Sequence, residues 1–120
     1  MPTLDELYRA AIRAHQQGEA KVAVRLYNDI LKRKPDHAGA LHLKGVLALQ
    51  ASDYKTAANL IERSLRIQPR HGLALSNLGV AYRALKRFDA AVEVLRKAVA
   101  LEPNSADAWG NLGQTLARAA

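Results

Sequence analysis

The sequence predicts an all-α solenoid of antiparallel helical hairpins, with seven helices and about three and a half repeats. Three observations carry this: apolar residues at helical spacing, very short connections between paired apolar runs, and a fixed interval at which the pairs return. Between Gly72 and Pro103, Leu75, Leu78, Tyr82 and Leu85 stand at i, i+3, i+7 and i+10, and Phe88, Ala91, Leu95 and Ala98 repeat those offsets. Each set is one apolar helix stripe. Only Lys86 and Arg87 separate the two, so the stripes must fold onto one another as an antiparallel pair. Pro35, Pro69 and Pro103 recur every 34 residues, and Gly45, Gly79 and Gly113 keep the same interval. A period in this range marks stacked supersecondary units.

The elements follow in order. Thr3, Leu4, Asp5 and Glu6 read as a capping box that starts the first helix, which runs to about Gln17 and breaks at Gly18. A second helix buries Ala20, Ala23, Tyr27, Ile30 and Leu31 and ends on Lys32, Arg33 and Lys34, where cations offset the negative helix pole, before Pro35 stops it. The second hairpin lines its helices with Leu41, Gly45 and Ala48, then Tyr54, Ala57, Ile61 and Leu65, and turns at Ser52 and Asp53. After the hairpin already described, Asn104 and Ser105 can cap a last helix carrying Trp109, Leu112, Gly113 and Leu116. The chain thus divides into one domain, 1–120, with repeats at about 4–37, 38–71 and 72–105 and a half repeat at 106–120.

A glycine inside a helix costs about 1 kcal/mol relative to alanine, so three at one register need a reason. Ala11 with Ala23, Gly45 with Ala57, and Gly79 with Ala91 lie twelve residues apart across a hairpin. Small residues there are expected where paired helices cross most closely. Gly113 has no such partner in the chain, and Trp109, Leu112 and Leu116 form an apolar edge suited to a helix that would follow, or to a second copy. A cut from a longer array is the favoured explanation, with self-association through that edge as its side effect.

Composition narrows the function classes. The 120 residues carry 18 Lys and Arg against 11 Asp and Glu, a net charge of +7, which favours acidic partners. There is no cysteine, hence no disulfide and no thiolate metal site. The N-terminal segment lacks an apolar leader core and no apolar run approaches a membrane span, which leads to the expectation of a cytoplasmic protein. No phosphate loop, nucleophile motif or metal-spaced His and Asp set appears, so no catalytic residue, cofactor or metal site is assigned. His15, His37, His42 and His71 are expected on the surface. Nucleic-acid binding has a weaker basis: Arg63, Arg66, Arg70, Arg96 and Lys97 fall largely on second helices and lack interleaved aromatics.

Two-helix units of 34 residues with W/L-x2-L-G-x2-Y, then Ala, then Pro, resemble the tetratricopeptide repeat over nearly the whole chain. The resemblance implies a scaffold, not a catalyst, whose first helices line a concave groove for extended peptides. Carried onto this chain, groove positions fall on Tyr8, Arg9 and Ile12, on His42, Leu43 and Val46, on Ser76, Asn77, Val80 and Arg83, and on Asn111 and Gln114. Asn77 and Asn111 occupy equivalent places and resemble the asparagine ladder of O-linked N-acetylglucosamine transferases, interrupted here by Arg9 and Leu43. The chaperone-type carboxylate clamp is absent, because its places hold Tyr8, Ile12, Leu43, Leu73 and Asn77, and shifting by one repeat does not restore it. The pattern from Ala11 to Gln50 also resembles bacterial arrays that precede glycosyltransferase or sulfotransferase domains, which implies a recruiting arm of a protein-modifying enzyme.

Overall fold

The computed structural model describes all 120 residues. Its seven helices are α1 (Leu4–Gln16), α2 (Ala20–Arg33), α3 (Ala38–Gln50), α4 (Tyr54–Ile67), α5 (Gly72–Ala84), α6 (Phe88–Leu101) and α7 (Ala106–Ala119), with no strand. They stack into a rod of 52 × 25 × 22 Å. α1, α3 and α5 each pair with the helix after them, and α3, α5 and α7 each pack on the helix before them. The first helices approach each other, α3 touching α5 and α5 touching α7, while the second helices make no comparable contacts. One side of the rod is therefore lined by first helices and the other by second helices.

Caps fix the helix starts. Thr3 Oγ1 accepts from the Glu6 amide and Glu6 Oε1 accepts from the Thr3 amide, both at 3.1 Å, which closes the expected box. These bonds to Thr3 favour the ionised carboxylate and lower the pKa of Glu6. Asp53 caps α4 through the Thr56 amide at 3.3 Å, and Ser105 caps α7 through the Ala108 amide at 3.2 Å.

The three hairpin turns share one device. Gly18, Ser52 and Lys86, each one period apart, take positive φ of 77°, 61° and 63°. A left-handed residue after each first helix reverses the chain within two residues. Only Gly18 adopts that conformation without a Cβ penalty. Lys86→Gly is therefore expected to raise unfolding stability by about 0.5–1 kcal/mol, read by urea denaturation, and a loss of stability would refute the assignment.

The stripes behave differently on the two kinds of helix. α6 buries one face, through Ala91, Leu95, Ala98 and Val99. α5 is buried on two sides, with Ala74, Leu75, Leu78, Ala81 and Tyr82 all inside, because α4 and α6 flank it. A helix sandwiched this way loses the clean amphipathicity expected of it. The small-residue crossings are present, but their partners are one turn further along than expected. A Cβ at Gly45 would lie 2.7 Å from Ile61 Cγ1, with the Ala57 carbonyl oxygen at 3.4 Å, and a Cβ at Gly79 would lie 2.6 Å from Leu95 Cδ2. Ile61 and Leu95, both fully buried, are the large side chains that these glycines admit. Gly113 has no neighbour within 4 Å of its missing Cβ.

Candidate functional site: the concave face

The inner side of the rod presents two clefts with different chemistry. The first, about 420 Å³, runs along the first helices of the first three repeats and is walled by Tyr8, His37, His42, Leu43, His71 and Leu73. Its rings pair in register. Tyr8 meets His37 edge-on at 4.7 Å between centroids, and one period later His42 meets His71 at 4.8 Å. Gly39 makes room for the first pair, because a Cβ there would come within 2.7 Å of Tyr8 Cζ. His37 is also the N-cap of α3, its Nδ1 accepting from the Ala40 amide at 3.0 Å. His71 holds the equivalent place before α5, yet its Nδ1 is buried with no partner.

His42 and Ser76 depart from the exposure expected of them: both are buried, at 3% and 7% relative accessibility. Of the four histidines only His42 is fully enclosed; the others are partly covered by the helix junctions where they sit. Asn77 Nδ2 donates to His42 Nε2 at 3.0 Å, which places the imidazole proton on Nδ1. Burial, and then the neighbouring His71, push the pKa of His42 down to about 4. Asn77 is therefore tethered to the core as well as facing the groove.

The second cleft, about 300 Å³, is polar: Ser76, Asn77, Asn111 and Gln114 line it beside the carboxylates of Glu102 and Asp107. Arg83 borders it but is committed. Its Nη1 donates to the Asn111 carbonyl at 3.1 Å and to Thr115 Oγ1 at 3.3 Å, tying α5 to α7. Burial, followed by the charge of Arg118, lowers its pKa. The Asn111 side chain makes no hydrogen bond within the chain, leaving its donor and acceptor available. Among the remaining residues of this face, Ile12, Val46 and Val80 are half-buried, Leu73, which borders both clefts, is 56% exposed, and Arg9 and Gln114 are exposed.

The α7 edge is narrower than expected. Trp109 and Leu116 are exposed at 51% and 42%, but Leu112 is buried at 6%, packed in a cluster with Leu75, Leu95, Ala98 and Ala108. Leu112 repeats Leu78, a core residue one period earlier, so it belongs to the inner stripe. Trp109 is held by its Nε1, which donates to the Pro103 carbonyl at 2.8 Å.

The residues missed from sequence are His37 and His71, expected only as surface histidines. The signal was present in the period: Tyr8 to His42 and His37 to His71 are both steps of 34 residues, so an aromatic contact at one junction implies one at the next.

A family model for the tetratricopeptide repeat matches residues 8–70, 42–106 and 76–119. The chain belongs to the tetratricopeptide repeat family. Members of this family are helical scaffolds for protein interaction, and the seven-helix rod is that fold. No curated protein sequence matches the chain. Among solved structures, a fragment of MamA from Desulfovibrio magneticus superposes with a TM-score of 0.89 at 28% identity, over 97% of this chain and 66% of that one. A variant of the Thermobaculum terrenum O-GlcNAc transferase gives 0.89 at 27% identity, over 97% of this chain and 23% of the transferase. The Sgt2 domain from Aspergillus fumigatus, at 23% identity and a TM-score of 0.88 over 98% of this chain and 80% of that one, shares the fold. This tetratricopeptide chain thus spans less than two thirds of the first two structures' lengths. No helix in it is long and apolar enough to cross a membrane.

Proposed function

We propose that this tetratricopeptide scaffold holds an extended peptide of a protein partner along its concave face. The observation that supports it is the apolar strip left uncovered on the inner side, where Leu73 stands exposed beside half-buried Leu43, Val46 and Val80. An apolar side chain of the peptide would enter the cleft between Tyr8 and Leu73. The free amide of Asn111 would bond the peptide backbone, and Glu102 and Asp107 favour a cationic or amide group at that end. The ladder role is thereby concentrated on Asn111, because Asn77 already serves His42. The net charge of +7 does not reside in the second cleft, whose charged lining is Glu102 and Asp107.

Peptides selected from a random display library should bind with an affinity that Leu43→Glu or Val80→Glu lowers at least about tenfold, roughly 1.4 kcal/mol, while Arg96→Glu on a second helix leaves it unchanged. Selected peptides indifferent to both groove changes would end the proposal.

The match to the transferase supports a second reading, in which the same groove recruits substrates for a catalytic domain of a longer cytoplasmic protein. Fusing this chain to such a domain should then raise modification of groove-binding peptides only. Trp109, Gly113 and Leu116 offer a self-association face, and a single monomeric mass in light scattering over a hundredfold concentration range would remove that role.

A further inference from the structure

We propose that the furrow between α2 and α4, on the second-helix side of the rod, docks an acidic peptide segment of a protein partner and takes one of its aromatic side chains into a socket at Ala48. One repeat later the chain closes the same furrow itself. Between α4 and α6 that place is filled from within: the Tyr82 ring is 7% exposed, its hydroxyl donates to Glu62, and the Arg87 guanidinium lies 4.4 Å from the ring centroid. What remains open there, beside Lys55, Ala58, Leu85 and Arg87, is about 250 Å³.

Ala48 stands where Tyr82 stands, one period earlier. The matching cleft, beside Lys21, Val24, Ala51 and Asp53, widens to about 410 Å³, and Leu47 and Leu60 give it an almost wholly apolar wall. The chain thus keeps the seat for an aromatic ring but supplies no ring. An external phenyl or phenol group fits that seat by burying apolar area of the kind Tyr82 buries. At the place of Glu62, which takes the Tyr82 hydroxyl, this furrow has Asn28, so a phenol's hydroxyl would again meet a polar group.

The charge of the occupant follows from the continuation of the furrow. Lys44 lines the socket and also the adjoining cleft of about 470 Å³, where it is joined by Arg25, Lys32 and Arg63 against the single carboxylate of Asp29. None of these four cations is in an ion pair; the two pairs in the chain are Lys34 with Asp36 and Lys97 with Glu93. Lys44 and Arg63 are half-buried, where like charges repel more strongly than in water, and a carboxylate ligand relieves that repulsion. From Ala20 to Lys32 the α2 wall extends roughly 18 Å, which is about five residues of extended peptide.

The test uses the whole chain, isotope-labelled, titrated with the acetylated pentapeptide Glu-Glu-Tyr-Glu-Glu amide and followed by amide chemical shifts. The expected result is saturable shifts at Val24, Leu47, Ala48 and Leu60, and at least tenfold weaker binding when the peptide's Tyr is replaced by Ala. Ala48→Tyr, which supplies the missing ring, and Ala51→Glu, an exposed rim change that spares the core, should each weaken binding at least tenfold. Leu43→Glu in the concave groove should leave it unchanged, which separates this surface from the one proposed above. No shift at millimolar peptide, shifts confined to the first-helix side, or binding indifferent to both socket variants would overturn the proposal. So would a thymidine pentanucleotide that saturates the furrow while the peptide does not.

Discussion

Gly79→Leu is expected to destabilise the chain by about 3 kcal/mol or more, at the upper end of what overpacking costs, while Gly113→Ala at the equivalent place one repeat later stabilises it by about 1 kcal/mol. The two glycines share a sequence register and differ only in what faces them. At Gly79 even a Cβ would press into Leu95, which is 0% exposed and enclosed by Leu75, Ala98, Val99, Ala108 and Leu112. A leucine adds three further carbons to that collision, and a close-packed interior has no void to receive them. The helices α5 and α6 must then separate, and with them the stack on α4 and α7. At Gly113 nothing lies within 4 Å, so alanine brings only its better helix propensity. Thermal and urea unfolding of the two variants beside the parent reads both signs at once. A Gly79→Leu chain that melts with the parent would show that the crossing is not where the helices approach most closely. If Gly113→Ala costs stability instead, a covering element already seated on α7 is the physical reason to seek.

The fold was legible because a solenoid writes itself repeatedly. The 34-residue interval, the two-residue turns and the stripes from Leu41 to Leu112 each recur, so a chance match at one place fails at the next. The partners of the small residues were less legible. Counting across a hairpin pairs Gly79 with Ala91, but side chains on a helix lean toward its N-terminus, and Leu95 reaches back over that level. Exposure at the groove was legible only in part. Tyr8, His42 and Ser76 share one register, yet His42 is enclosed because the residues it meets lie at the junction with the next repeat, His71 just before α5 and Asn77 within it. Contacts of that kind depend on which residues two repeats bring together, and no single repeat states them. Leu112 was misplaced for the opposite reason: it repeats the core register of Leu78 and packs against Leu75, Leu95 and Ala98, whereas Trp109, on the same helix face at the register of the buried Leu41 and Leu75, lies exposed.

Lowering the pH is expected to weaken the fold through His42. In the folded chain its pKa is near 4, first because the ring is buried and second because His71 lies beside it; in the unfolded chain it returns to the ordinary histidine value near 6.5. Between those two values the unfolded state holds a proton that the folded state refuses, so unfolding stability rises with pH across the interval. The contribution is complete above about pH 6.5 and lost progressively as pH falls toward 4, with a size of about 3 kcal/mol at 1.36 kcal/mol per unit of displacement. Urea unfolding at pH 7.5, 5.5 and 4.5 measures it. His42→Gln, which keeps an acceptor for the Asn77 amide but cannot titrate in this range, should flatten the slope while carboxylates such as Glu6 contribute equally to both proteins. A His42 ring that titrates near pH 6.5 by NMR would rule the account out. The consequence reaches the groove, because protonation at Nε2 removes the acceptor of Asn77 and replaces it with a donor facing a donor. Peptide affinity of the folded chain on the concave face should therefore hold across that interval and fall only as pH drops through about 4, where the folded-state ring takes up its proton, and in His42→Gln it should not.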